Sequence, residues 1–340
     1  MKSIKLSFIL LLIITVFVTC KKEGPQGPQG QAGPGNPDPN IYGKWEVISG
    51  ANEFKYLIIN NDKSYYVLFE DTFGFKSQYN DIALITGSQI VIEIGNGYLY
   101  NYSVSSSSLT LTNTEDTISL SRNNNVPDQD NWLKKITSLS SINAPIKRAT
   151  DLAWDGQYIW YGNAYETNYL YKINPLTSYV DSIPTINSAW GIEFDGQYLW
   201  TSNNGYDKIF KVDPTTGSNI TESVSMGAWI ESIAWDGQYL WCWSDNEGTI
   251  YKYNPQSNSV VSQYNIGTAG GITYANGYFY LCIYGVLHKC TINPLHAIES
   301  YSLENLHIHG ITYDGNNFWV SVYNYINGND NYKIHKVSLN

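Results

Sequence analysis

LAWDGQYIW (152–160), IEFDGQYLW (192–200), IAWDGQYLW (233–241), ITYANGYFYL (272–281) and ITYDGNNFW (311–319) recur about every forty residues in the second half of the chain. Five copies of one short pattern at that period predict the blades of a β-propeller. An apolar strand A ends each time at Asp-Gly or Asn-Gly: Asp155-Gly156, Asp195-Gly196, Asp236-Gly237, Asn276-Gly277 and Asp314-Gly315. Such dipeptides tolerate positive φ and close a tight hairpin into strand B. Strand B then carries Trp160, Trp200, Trp241, Leu281 or Trp319, four residues after the glycine. Strand C runs into Pro175, Pro214, Pro255 or Pro294, which mark the C-to-D turn, whereas the fifth copy stops at KIHKVSLN with no strand D. A ring of blades that fails to close leaves exposed sheet edges. KITSLSSINAP (135–145) precedes the first strand A, so it is expected to complete the last blade and to join the two ends of the ring.

Outward from the repeat, NNNVPDQDN (123–131) is a polar break that reads as a linker and places the propeller over 132–340. Before it, residues 41–122 alternate short apolar strands (KWEVIS, KYLIIN, SYYVLF, QIVIEI, YLYNYSV, SLTLT, TISLS) with turns, the pattern of a small antiparallel barrel or sandwich. The fold class is therefore all-β: a small antiparallel β domain followed by a five-bladed β-propeller. Residues 24–35 form four glycine-led triplets, GPQGPQGQAGPG, too few for a stable triple helix and better suited to a stiff extended linker within 20–40. Residues 1–19 place Lys2 and Lys5 ahead of an apolar run from Leu6 to Val18, the layout of a cleaved signal peptide.

Cleavage there would remove Lys2 and Lys5, leaving 18 of the 20 basic residues against 30 acidic ones and moving the net charge from −10 to −12. No run of basic residues is longer than a pair, which argues against a nucleic-acid partner, since phosphate neutralisation needs clustered Lys and Arg. Cys242, Cys282 and Cys290 show no Cys-x-x-Cys spacing, so neither a zinc site nor any cofactor is expected. Cys242 and Cys282 read as equivalent buried strand-B positions, and Cys282 and Cys290 as free thiols.

Three resemblances add to this reading. Val18-Thr19-Cys20 resembles the lipobox of bacterial lipoproteins, which implies cleavage before Cys20, acylation of that cysteine and a lipid anchor in the outer membrane or at the cell surface. Gly43-Lys44-Trp45 and YSVSSSSLTLT (102–112) resemble the lipocalin-like domains of Bacteroidetes surface lipoproteins, with a side-chain-filled interior the expected variant. The DGxYLW and KxNP patterns resemble propellers of the streptogramin lyase type and the five-bladed glutamine cyclotransferases, without matching any catalytic residue of either.

In a propeller the A–B and C–D turns share one face, and the irregular D–A and B–C loops share the other, where binding is usually placed. The residues just before each strand A should ring that mouth: Arg148 and Thr150, Ser188 and Trp190, Trp229 and Glu231, Thr268 and Gly270, His307 and His309. Arg148, Trp190, Trp229, Glu231, His307 and His309 are the candidate binding residues, because aromatic faces beside amides and carboxylates suit the C–H faces and hydroxyls of sugars. Trp154, Trp160, Trp200, Trp235 and Trp241 read instead as packing between blades. Two histidines without a third ligand point to hydrogen bonding rather than metal. The expected function is a monomeric, membrane-anchored binding module for a glycan or protein. The alternatives are a glycosidase or lyase using Asp151, Glu193 and Glu231, the last with Arg148 or His309, and a structural component of an envelope complex.

Overall fold

The computed structural model describes residues 36–339 apart from 51–53, 95–96, 145–148, 163–167, 186–188, 204–205, 268, 284, 304–305 and 324–332. Among them no helix is long and apolar enough to cross a membrane. Cys20, the lipobox and the glycine-led triplets lie outside the described residues.

Nine strands make up the first sheet: β1 (Gly43–Ser49), β2 (Tyr56–Ile59), β3 (Ser64–Glu70), β4 (Lys76–Ile82), β5 (Leu84–Ile85), β6 (Gln89–Ile94), β7 (Gly97–Val104), β8 (Ser108–Thr112) and β9 (Thr117–Arg122). Neighbours in sequence pair antiparallel, and β1 pairs with both β2 and β9, so the sheet wraps round and closes first strand to last. Its seam falls between β4 and β5, which the chain crosses at the buried Ala83. Period-two alternation sends Trp45, Leu57, Tyr65, Tyr100, Leu109 and Leu111 inward, where they pack with ten further buried residues. The interior is therefore filled by side chains. Arg122 closes one end, its guanidinium 4.2 Å from the Trp45 ring and donating to the Tyr42 carbonyl.

The polar break after β9 is tied down rather than free. Its helical turn Gln129–Trp132 buries Trp132 against Ile58 and Leu68, and the indole N–H donates to the Ser77 carbonyl at 2.9 Å. The barrel then meets the propeller at blade 4. Phe75 enters that blade's apolar cluster with its ring 5.1 Å from His288, while the Ala297 amide donates to the Phe73 carbonyl at 2.8 Å.

The propeller comprises four-stranded meanders whose inner A strands are Leu152–Trp154, Ile192–Phe194, Ser232–Trp235, Ile272–Ala275 and His307–Tyr313. Apolar clusters fill every blade-to-blade interface. Trp160 packs with Ile192 and Leu199, Trp200 with Ile233 and Leu240, Trp241 with Ile272 and Phe279, Cys282 with Ile311 and Val320, and Trp319 with Leu152 and Ile159. The last of these interfaces joins blade 5 to blade 1 and makes five blades a closed ring.

Strand β10 (Lys134–Asn143) supplies the missing outer strand of blade 5, pairing antiparallel with Lys333–Ser338 over Thr137 to Asn143. Its first three residues also pair, in parallel, with Tyr301–Leu303 of blade 4. Blades 4 and 5 thereby become one eight-stranded sheet.

One sequence-based equivalence is corrected by strand register. Ile233 faces Cys242 in blade 3, whereas Ile272 faces Leu281 in blade 4. The position of Trp160, Trp200 and Trp241 is thus filled by Tyr280 and not Leu281, and Cys282 corresponds to Trp243 and not Cys242. The cause is the hairpin: Asn276 and Gly277, with φ of 51° and 85°, are themselves the two loop residues, so Ala275 stands where the other blades have aspartate. Cys282 pairs with Leu287 and Cys290 with Phe279, and both thiols are free and buried.

Candidate functional site

The turn face shows what the repeated letters do. In blades 1, 2, 3 and 5 the aspartate before Gly uses one oxygen to accept from two turn amides and the other to accept from the strand-B indole, at 2.6 Å in Asp155–Trp160 and 2.9 Å in Asp314–Trp319. A strand-C lysine lies over the neighbouring ring, as Lys252 does 3.8 Å from the Tyr239 centroid. Blade 4 has neither the aspartate nor the tryptophan, and there Lys289 and Lys134 pair with Glu299, which their charges and the Tyr301 hydroxyl hold down at about 2. These contacts are structural and repeat from blade to blade.

The opposite face does not repeat. The rung two residues ahead of Leu152, Ile192, Ile233, Ile272 and Ile311 carries Thr150, Trp190, Glu231, Gly270 and His309. Thr150 joins its neighbours from both sides: its hydroxyl donates to the Trp190 carbonyl at 2.7 Å, and its carbonyl accepts from His309 Nδ1 at 2.8 Å. That bond fixes the neutral imidazole with its proton on Nδ1 and makes Nε2 the acceptor. Burial lowers the His309 pKa from its usual value, against a smaller opposing effect of Asp245. Asp245 also acts on Glu231: burial first, then this neighbouring charge, push the Glu231 carboxyl up to about 7. Groups from blades 3 and 5 are thus brought within electrostatic reach of one aspartate.

Trp229 stands at the edge of this group, 50% exposed, with its amide donating to Asn246 Oδ1 at 3.3 Å. The Ser244 hydroxyl holds the same oxygen at 2.6 Å. Trp190 is half-buried, and His307 is exposed, its ring against Gly285 of the blade 4 B–C turn. Arg148, Ser188 and Thr268 lie outside the described residues. Among the described residues no three His, Cys, Asp or Glu side chains cluster to hold a metal ion. Asp245 and Asn246, which the sequence also places at the mouth on the blade 3 B–C loop, link Trp229, Glu231 and His309. The signal was the Asp-Asn-Glu-Gly turn directly after Ser244.

Asp151 and Glu193 sit deeper and do not share the open mouth with Glu231. The rung below it carries Asp151, Gly191, Ser232, Gly271 and Gly310, small residues except for one carboxylate. A Cβ on Gly271 would come within 2.4 Å of the His309 carbonyl, and one on Gly310 within 2.8 Å of the Asp151 Cα, so glycine lets the inner strands close together. Asp151 is fully buried, its Oδ2 accepting from the Ile192 amide (3.1 Å), the Ile233 amide (3.2 Å) and the Ser232 hydroxyl (2.9 Å). Glu193, 8% exposed, accepts from the amides of Phe194 (2.8 Å) and Trp235 (3.2 Å). Burial raises both acids, Glu193 to about 8 and Asp151 well above the carboxylate range, and each carries a smaller push from a nearby acid. Closed off from solvent, these two carboxyls cannot meet a glycoside.

No family model matches the chain, and no curated protein matches it. Among solved structures, glutaminyl cyclase from Myxococcus xanthus aligns over 61% of this chain and 97% of its own, with a TM-score of 0.52 and 9% identity. Hydrazine synthase from Kuenenia stuttgartiensis aligns over 56% and 60% at a TM-score of 0.38 and 14% identity. A mitotic checkpoint complex chain aligns over 93% and 98% at 0.38 and 12%. The first likeness supports the propeller fold and nothing finer; the other two are too loose to bear on it.

Proposed function

We propose that the chain is a lipid-anchored envelope protein whose propeller mouth binds a glycan. The observation that carries this reading is Trp229, half-exposed on the face where the blades differ, two residues from Glu231 and with its amide donating to Asn246, the neighbour of Asp245. A flat apolar ring flanked by hydrogen-bonding groups is what a pyranose needs: stacking for its C–H face and partners for its hydroxyls. The membrane link rests on the sequence around Cys20. Replacing Cys20 with Ser is expected to move the protein from the membrane to the soluble fraction; complete membrane partitioning of Cys20→Ser would refute the anchor. A glycan array probed with the full chain tests the binding, with Trp229→Ala expected to weaken any hit about tenfold, the loss of roughly 1.4 kcal/mol. A hit bound equally well by Trp229→Ala would place the site elsewhere.

A second reading is favoured by Glu231. A half-buried carboxyl pushed up to about 7 by burial and by the neighbouring Asp245 has the character of a general acid. Hydrolysis or elimination of a bound glycan by the wild type, abolished in Glu231→Gln while binding persists, would make the mouth an active site.

A further inference from the structure

We propose that the propeller axis, below the mouth, is a binding site for one calcium ion, held between Asp151 and Glu193 and ringed by backbone carbonyls of the inner strands. Three observations carry it. The first is an unpartnered atom. Asp151 Oδ2 accepts three hydrogen bonds, whereas its Oδ1, fully buried, has no partner among the described residues. A buried carboxylate oxygen left alone costs free energy that a cation would offset.

The second is the placement of two acids in successive turns of the axis. Asp151 collects the amides of Ile192 and Ile233, and Glu193 collects the amide of Trp235, two residues further along the same inner strand. Among the described residues nothing basic bonds to either.

The third is the backbone between them. The amides of Ile192, Ile233 and Ile272 face the axis, as their bonds to Asp151 Oδ2 and Ser232 Oγ demonstrate. A residue in a strand directs its N–H and C=O to the same edge. The carbonyls of these three residues therefore face the axis too, as do those of Leu152 and Ile311 at equivalent positions in blades 1 and 5. Oxygen-only coordination with two negative ligands suits a hard cation that accepts six to eight oxygens, which is calcium rather than zinc. With two side-chain ligands and the remainder backbone, such a site has no sequence motif.

The test uses the full chain, stripped with EDTA and titrated with CaCl2. Expected are one equivalent bound by calorimetry, a saturable rise in Tm of several degrees, proton release on binding, and affinity that climbs as pH rises and the carboxyls ionise. Asp151→Asn keeps the one acceptor oxygen its partners use and Glu193→Gln keeps an acceptor for one of its two strand amides; both remove charge, and each is expected to cut calcium affinity at least tenfold. A folded wild-type chain that takes up no calcium, or a Glu193→Gln chain that binds it as tightly as wild type, overturns the proposal.

Discussion

Tryptophan has two different roles in this chain, and neighbouring groups decide which. Trp200 is 2% exposed, packed between blades 2 and 3, with its indole N–H bound to Asp195 at 2.7 Å. Trp229 is half-exposed and belongs to none of the apolar clusters among the described residues, its amide donating to Asn246. Trp200→Ala is therefore expected to cost about 3–5 kcal/mol of stability through the cavity it opens, and Trp229→Ala within about 0.5 kcal/mol. Chemical denaturation of both variants measures the contrast; equal losses would mean that Trp229 belongs to the core. At the same scale, Glu193 holds its proton up to about pH 8 in the folded chain, whereas an unfolded glutamate releases it near 4.3. Folding therefore binds a proton between those values, and the stabilisation is present below the unfolded pKa and lost as pH rises through the folded one. In EDTA, Glu193→Gln should flatten the decline of Tm between pH 6.5 and 8.5, and an unchanged slope would place the titration on another group.

Strand β10 is the element on which ring closure depends. Deleting residues 131–146 removes its pairing with blade 5 and with blade 4 and exposes two edges at once. A sharp fall in soluble yield and Tm is expected; an unchanged melting temperature would contradict the pairing. This strand was legible in the sequence because the fifth repeat ends without an outer strand while an orphan strand pattern precedes the first. The five inner strands and their turns were legible for a similar reason, since Asp-Gly and Asn-Pro repeat at fixed intervals. The slip at Leu281 shows the limit of that reasoning. A loop that begins at Asn276 instead of after an aspartate leaves the letters similar and turns every later side chain of the strand to the other face. The site was legible only in part. Glu231 and His309 were marked by failing to repeat, but the reach of Asp245 toward both, and the closure of Asp151 and Glu193 from solvent, depend on how the blades converge.

Whole-molecule stability sums opposing titrations. Glu193, Glu231 and Asp151 lose stabilisation as pH rises, since burial raises each. His288, buried against Phe75 at the junction of barrel and propeller, is pushed down by burial to about 3. Its neutral form stabilises the fold above the unfolded value of about 6.5, and that contribution fades as pH falls toward 3. His309 acts in the same direction. The histidines add no pH dependence above about 6.5, so the Tm of the metal-free protein is expected to fall between pH 6.5 and 8.5, with His288→Gln steepening the net loss with rising pH below that window; a Tm that rises to pH 8.5 would contradict this balance.

The double pairing of β10 also fixes an order of events for a chain that emerges from its N-terminus. The barrel, contiguous from Gly43 to Arg122, has all its partners early. β10 follows at once but must wait for Tyr301–Leu303, and then for Lys333–Ser338, which come last of all. Blade 4 therefore captures the strand before blade 5 exists, and the last strand to arrive finds its partner already immobilised. The long loop is closed in two shorter commitments, and the interval in which an open sheet edge invites a second chain is confined to the stretch from Leu303 to Ser338.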